Sequence, residues 1–212
     1  MSYSQNDEEA VILSLLGAAA VPQRFLDIGA HDGVTFSNTR RLADLGWGGT
    51  LVEPSPAAFV ALMRNYERFG DVELVHAAIV ADGPQRMIRF YDAHGDMVST
   101  FDEAHRTLWD GQRGHKVAGP SVPSNVRFQP IQVAALSVVD LLTQYPGPYA
   151  VLNLDVEGAN LELFSKLNLR ALGVVVACVE YQDKRKEIEL LAAGQGYRVT
   201  HSNTENLILA VA

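Results

Sequence analysis

The chain has 212 residues, of which 48% are apolar and 20% charged, the composition of a packed globular protein and not of a disordered or membrane-embedded one. Its formal net charge is -8, and lysine and arginine are scattered apart from short groups such as Arg40-Arg41, which argues against a surface that tracks nucleic-acid phosphates. A single cysteine, Cys178 in the apolar run Val174 to Val179, excludes an intrachain disulfide and reads as a buried structural thiol.

In chain order, residues 1–20 are expected to form an N-terminal helix, with Ser4-Gln5-Asn6-Asp7 as a capping box and Val11, Ile12, Leu15 and Leu16 on the core face. The uncharged run from Ala10 to Gln23 is too short to span a bilayer, and Asp7-Glu8-Glu9 has the wrong sign for a signal peptide. A cytoplasmic protein with no membrane partner is the expectation. Phe25 to Ile28 reads as a strand, and Val34 to Leu45 as a helix that Gly46 ends, its amino end pointing free N–H groups at a ligand. Gly49 to Pro54 is a second strand, followed by a helix with Ser55 as N-cap, Pro56 at its first position and Phe59, Leu62, Met63 and Tyr66 as a core stripe.

Asp71 to Val80 is expected to be one strand, with His76 as a core side chain, and Arg86 to Tyr91 a further one. From 92 to 125, repeated glycines and prolines break the pattern around a short helix from Asp102 to Trp109; so long an irregular insertion after the third strand reads as a substrate lid. Val126 to Ala134 is a strand, Ser137 caps a helix to Gln144, and Tyr149 to Asp155 and Gly173 to Glu180 are strands apolar on both faces. Gly196 to His201 and Asn206 to Ala212 close the chain as an antiparallel hairpin. The sum is one α/β domain over 1–212: a doubly wound, mostly parallel seven-stranded sheet with a C-terminal hairpin, an extra strand pair and a lid.

The stretch Phe25-Leu-Asp27-Ile-Gly29-Ala30-His31-Asp32-Gly33 organises the rest. An acid at the carboxyl end of a buried strand calls for a cationic partner, because an unpaired buried carboxylate is costly. Gly29 and Gly33 allow a sharp turn and close approach of a ligand to the main chain, and His31 contacts the ligand through its backbone. The dinucleotide fingerprint wants three glycines; this loop has two, and Asp27 and Asp32 would repel a pyrophosphate. A ligand with an ammonium or sulfonium group would be attracted, and S-adenosyl-L-methionine carries both. Glu53, closing the second strand, is placed to hold ribose hydroxyls. Ala77 and Ala78 are small enough to admit a base.

Ser4-Gln5, Asp27-Ile-Gly-Ala-His-Asp-Gly33, Ser37-Asn38-Thr39, Gly46-Trp-Gly-Gly49, Val52-Glu-Pro54 and Leu154-Asp-Val-Glu-Gly158 occur in an order and spacing that resembles FkbM-type methyltransferases. The resemblance implies a class I methyltransferase sheet and methyl transfer from S-adenosylmethionine to a hydroxyl of a small acceptor, a sugar or another natural product. With the loop reading, it implies a cofactor set of Asp27, Gly29, Ala30, His31, Gly33, Ser37, Asn38, Glu53, Pro54, Ser55, Ala77, Ala78 and Asp155. The family often has a glutamate shortly after the Asp-x-Glu-Gly run, where this chain has Asn160. Ser99-Thr100 is similar to a pair found in the family.

Asp155 and Glu157 sit where open α/β sheets carry reactive groups, and alternation puts both on one face if the strand runs through Glu157. Asp155 is the candidate base, with Glu157 beside it; the plain alternative is a helix cap. Glu180 would complete an oxygen site for a divalent cation, but paired acids at strand ends also serve as caps and ion pairs, and no metal is assigned. His94, His105 and His115 fall in the lid. A nicotinamide-dependent oxidoreductase, or a binding module that keeps the sheet without the chemistry, are the other readings.

Overall fold

A computed structural model describes residues 2–17, 21–84, 86–93, 97–104, 106–107 and 128–212. The first half contains α1 (Glu8–Leu16), β1 (Arg24–Ile28), α2 (Arg40–Asp44), β2 (Gly48–Val52), α3 (Pro56–Tyr66), β3 (Val72–Val75), β4 (Ala78–Val80) and β5 (Arg86–Asp92). The second contains β6 (Gln129–Ser137), α4 (Val138–Gln144), β7 (Val151–Leu154), α5 (Asn160–Lys166), α6 (Leu169–Leu172), β8 (Val176–Glu180), α7 (Arg185–Gly194), β9 (Tyr197–Ser202) and β10 (Asn206–Val211). The main sheet runs β3-β2-β1-β7-β8-β10-β9, and β4-β6-β5 make a small second sheet. Strands β1, β2, β3, β7 and β8 are parallel, and β10 is antiparallel to both β8 and β9. The class I methyltransferase sheet with its antiparallel hairpin is therefore present.

Strand alternation divides the core into two layers. Leu26, Ile28, Leu152, Leu154, Ala177 and Val179 pack with α4 to α7, whereas Phe25, Leu51, Val151, Val176 and Cys178 pack with α1, α2 and α3. Each fully buried aliphatic or aromatic side chain stabilises the fold by about 1.5–3 kcal/mol. Asp27 and Asn153 share the alternation of Phe25 and Val151, so they face the layer that contains α2.

Several elements differ from the sequence reading. The expected strand 71–80 is two strands: β3 ends at Val75, and β4 leaves the main sheet to pair in parallel with β6. The extra strand pair thereby becomes a three-stranded sheet, with β5 antiparallel to β6. His76, at the crossing, is exposed and stacks on Phe59 with ring centroids 4.5 Å apart instead of entering the core. Of the α3 stripe, Leu62 and Tyr66 are buried but Met63 is exposed.

The helix expected over 34–45 is only α2. Side-chain acceptors compete with helical hydrogen bonds there: Asp32 Oδ1 accepts the N–H groups of Val34 and Thr35 at 2.8 and 2.7 Å, and Phe36 bridges to Ser4. The capping box at Ser4 to Asp7 does not form as expected. Ser4 Oγ accepts from Glu9 N at 3.2 Å, but Asp7 reaches His201. Ser55 precedes α3 without a side-chain cap, its hydroxyl donating to Asp92 at 2.6 Å. Ser137 does cap α4 in a box with Asp140. Residues 108–125 of the expected lid, the end of its helix, and His94, His105 and His115 lie outside the described residues.

Candidate active site

The carboxyl ends of β1, β2, β7 and β8 open into one cavity of about 360 Å³. It lies where strand order reverses between β1 and β7, the position at which open α/β sheets bind ligands. Asp27, Gly29, Ala30, His31, Ser37, Asn38, Glu53, Pro54, Ala77, Ala78, Asp155 and Glu157 all line it. Gly33 and Ser55, expected among the ligand contacts, do not. A Cβ on Gly33 would meet Tyr66 Cε2 at 2.4 Å and Leu62 Cδ1 at 2.5 Å, so α3 packing demands this glycine. Gly29 likewise answers to the fold: its φ is 96°, and a Cβ would lie 1.8 Å from the Asp155 carbonyl oxygen.

Asp27 corrects the expectation of a cationic partner. Its Oδ2 accepts from Thr39 Oγ1 at 2.5 Å and its Oδ1 from Asn153 Nδ2 at 2.9 Å, both neutral donors. Burial raises its pKa, and those two hydrogen bonds oppose the rise. Asn38 Nδ2 donates in turn to Asn153 Oδ1 at 3.0 Å, while Ser37 Oγ accepts from Arg40 N at the start of α2. The Ser37-Asn38-Thr39 motif thus fixes the floor of the cavity around Asp27.

Glu53 is buried, its Oε2 accepting His31 N at 2.9 Å and its Oε1 accepting Ser55 N at 2.7 Å. Burial pushes its pKa up to about 7 against those two backbone donors. The non-glycine residues with φ between 46° and 56° among those described, His31, Phe36 and Gln182, all line the cavity. Backbone strain of this kind concentrates at functional sites.

At the other end, β7 stops at Leu154, so Asp155 and Glu157 enter the cavity from the loop after the strand and not by alternation along it. Asp155 is pushed up to about 7, first by burial and then by the Glu157 charge, while a hydrogen bond with Glu180 opposes the rise. Glu180 is raised further, by burial and then by Asp155, so the pair shares a proton that resides on Glu180. Asn160, where the family often has glutamate, holds this arrangement: it accepts Val156 N at 2.8 Å and donates to Glu180 Oε2 at 2.7 Å. Gln182 Nε2 reaches Glu180 at 3.2 Å and Glu157 at 3.4 Å. Met97 to Phe101 form a wall, with Thr100 Oγ1 donating to the Glu157 carbonyl at 2.6 Å. Among the described residues, no three His, Cys, Asp or Glu side chains converge as a metal site would require.

The sequence reading missed Gln5, Glu8, Phe36, Asn153, Gln182, Glu205 and Asn206, all of which line the cavity. One signal was available for Glu8: it shares the helical stripe of Ile12 and Leu16, so an acid stands on an apolar face. Glu8 is buried and accepts from Asn203 Nδ2 at 2.6 Å and Asn206 Nδ2 at 2.9 Å. The others come from loops that only the fold brings together.

Seven carboxylates therefore face one space: Glu8, Asp27, Glu53, Asp155, Glu157, Glu180 and Glu205. No lysine or arginine lines it among the described residues. Solved structures with the same strand arrangement include a precorrin-6y C5,15-methyltransferase from Geobacter metallireducens, 14% identical with a TM-score of 0.50, covering 95% of this chain and 85% of that one. A fibrillarin pre-rRNA processing protein from Methanococcus jannaschii is also similar, 11% identical with a TM-score of 0.47, covering 98% and 76%. The putative methyltransferase yhhF from Escherichia coli is 13% identical with a TM-score of 0.47, covering 100% and 88%. No curated protein matches the chain significantly. The FkbM methyltransferase domain matches residues 27–199, and the chain belongs to that methyltransferase family.

Proposed function

We propose that this chain is an S-adenosylmethionine-dependent O-methyltransferase acting on a hydroxyl of a small acceptor, a sugar, glycoconjugate or other natural product. The observation that carries the reading is the charge of the cavity. Seven carboxylates without a lysine or arginine suit a ligand with sulfonium and ammonium groups and oppose a pyrophosphate. The acceptor class follows from the family resemblance. A cytoplasmic setting belongs to the same reading, in keeping with a lone buried thiol; among the described residues no helix is long and apolar enough to cross a membrane.

S-adenosylmethionine, when bound, supplies a methyl group already activated by its sulfonium. Glu53 keeps lone pairs beyond those used by His31 N and Ser55 N, and these take the ribose hydroxyls. Ala77 and Ala78 leave room for the base. Asp155 receives the proton of the acceptor hydroxyl, and its raised pKa suits that transfer near neutral pH, where a general base typically contributes about 10²–10⁴-fold. Glu180, hydrogen-bonded to Asp155, fixes its orientation, while Met97, Val98 and Phe101 exclude water.

Parallel titrations with S-adenosylhomocysteine and NADH test this reading. Saturable binding of the former and none of the latter is expected; the reverse pattern assigns the chain to nicotinamide chemistry.

A further inference from the structure

Carboxylates are more abundant at the β8 and β10 end of the cavity than the methyl donor alone requires. S-adenosylmethionine has two cationic groups and one carboxylate, so it offsets little of the charge presented by Glu8, Glu157 and Glu205. The amide donors nearby are already engaged, Gln5 Nε2 on Glu205 at 3.1 Å and Gln182 Nε2 on Glu157 and Glu180. Asn206 gives an independent sign. It is only 5% exposed and lines the cavity; its Nδ2 is held by Glu8, and its Oδ1 is buried with no hydrogen-bond partner. What remains is a surface of acceptors awaiting a donor.

We propose that this end is an acceptor subsite for the ammonium group of an amine-bearing hydroxylated acceptor, an amino sugar or amino alcohol, held by Asn206, Glu157 and Glu205. An ammonium offers three donors and no acceptor, matching what these oxygens lack. Strand order supports the division. The donor reading, on which this inference rests, occupies the β1 and β2 side, and β7 with Asp155 stands between the two. Like charge from Glu8 and Glu157 also acts on Glu205, a repulsion that a bound cation relieves. Phosphorylated acceptors would add to that repulsion.

Calorimetry on the full chain saturated with S-adenosylhomocysteine provides the test, with glucosamine, ethanolamine, glucose and glucosamine 6-phosphate as probes. Glucosamine should bind at least about 10-fold more tightly than glucose or glucosamine 6-phosphate. Glu205→Gln should weaken glucosamine binding about 5-fold or more while S-adenosylhomocysteine affinity stays within about twofold. Equal affinity for glucose and glucosamine, preference for the phosphate, or failure of both amines to bind the loaded chain overturns the subsite and leaves the donor reading standing. Failure of S-adenosylhomocysteine to bind overturns the donor reading and this inference with it.

Discussion

The two ends of the cavity use the same residue type at the same place in the fold, an acid at or just after the carboxyl end of a parallel strand, and treat it in opposite ways. At the β1 and β2 end, Asp27 and Glu53 are held by Thr39, Asn153 and the N–H groups of His31 and Ser55, all neutral donors fixed by the fold. At the β7 and β8 end, Asp155 and Glu180 hold each other, with Glu157 close enough to raise both. Donors from the fold make a carboxylate a rigid binding group; another carboxylate makes it a proton carrier.

The sharpest way to break this contrast is Asp155→Asn. The amide keeps the size of the side chain and removes its capacity to take a proton. Turnover should fall about 10²–10⁴-fold while affinity for S-adenosylhomocysteine changes only a few-fold. Separate measurement of kcat and cofactor Kd decides the matter, and unchanged kcat removes Asp155 from the chemistry.

The next effect concerns pH. Glu53 stands near 7 in the folded chain against an ordinary 4.5, so between those values the folded state keeps a proton that the unfolded state has released. Stability contributed by that proton is present at low pH and is lost as pH rises toward 7, by about 3 kcal/mol in full. Asp155 acts in the same direction. Asp32 and Glu8, held below their ordinary values, act oppositely, and their stabilisation is lost only as pH falls below about 4.5. Thermal melting of the unliganded chain should therefore occur several degrees lower at pH 7.5 than at pH 5.5, and Glu53→Gln should flatten that slope. A variant whose melting temperature follows pH as steeply as the wild type would show that Glu53 titrates normally.

Much of this contrast was legible in the chain before folding. Apolar strands ending in Asp27, Glu53, Asp155 and Glu180 have a period and a terminus that no helix or loop imitates, and the order of the strands fixes a common rim. What could not be read is who holds each acid. Asn153 sits within a strand and looks like an interruption, while Thr39 looks like an N-cap; only parallel pairing of β1 with β7 and the early arrival of α2 bring both to Asp27. Gly29 and Gly33 illustrate the same limit. Glycine marks a crowded or left-handed position, but whether a ligand or the chain does the crowding depends on tertiary neighbours, here Asp155, Leu62 and Tyr66.

The smallest effect tests the quieter end. Thr39→Val preserves shape and deletes the hydroxyl that donates to Asp27, leaving the acid with Asn153 alone. A buried carboxylate oxygen without its donor costs about 1–3 kcal/mol, and the side chain responds by holding a proton more tightly. Chemical denaturation should show that loss, and Thr39→Ser should recover most of it by restoring the hydroxyl. Because both Asp27 oxygens are engaged within the fold, cofactor affinity should fall less than in Glu53→Gln, whose carboxylate keeps lone pairs for a ligand. If Thr39→Val instead weakens S-adenosylhomocysteine binding more than Glu53→Gln does, Asp27 touches the ligand directly, and the division between a fixed rim and a proton-carrying rim gives way to one continuous charged surface.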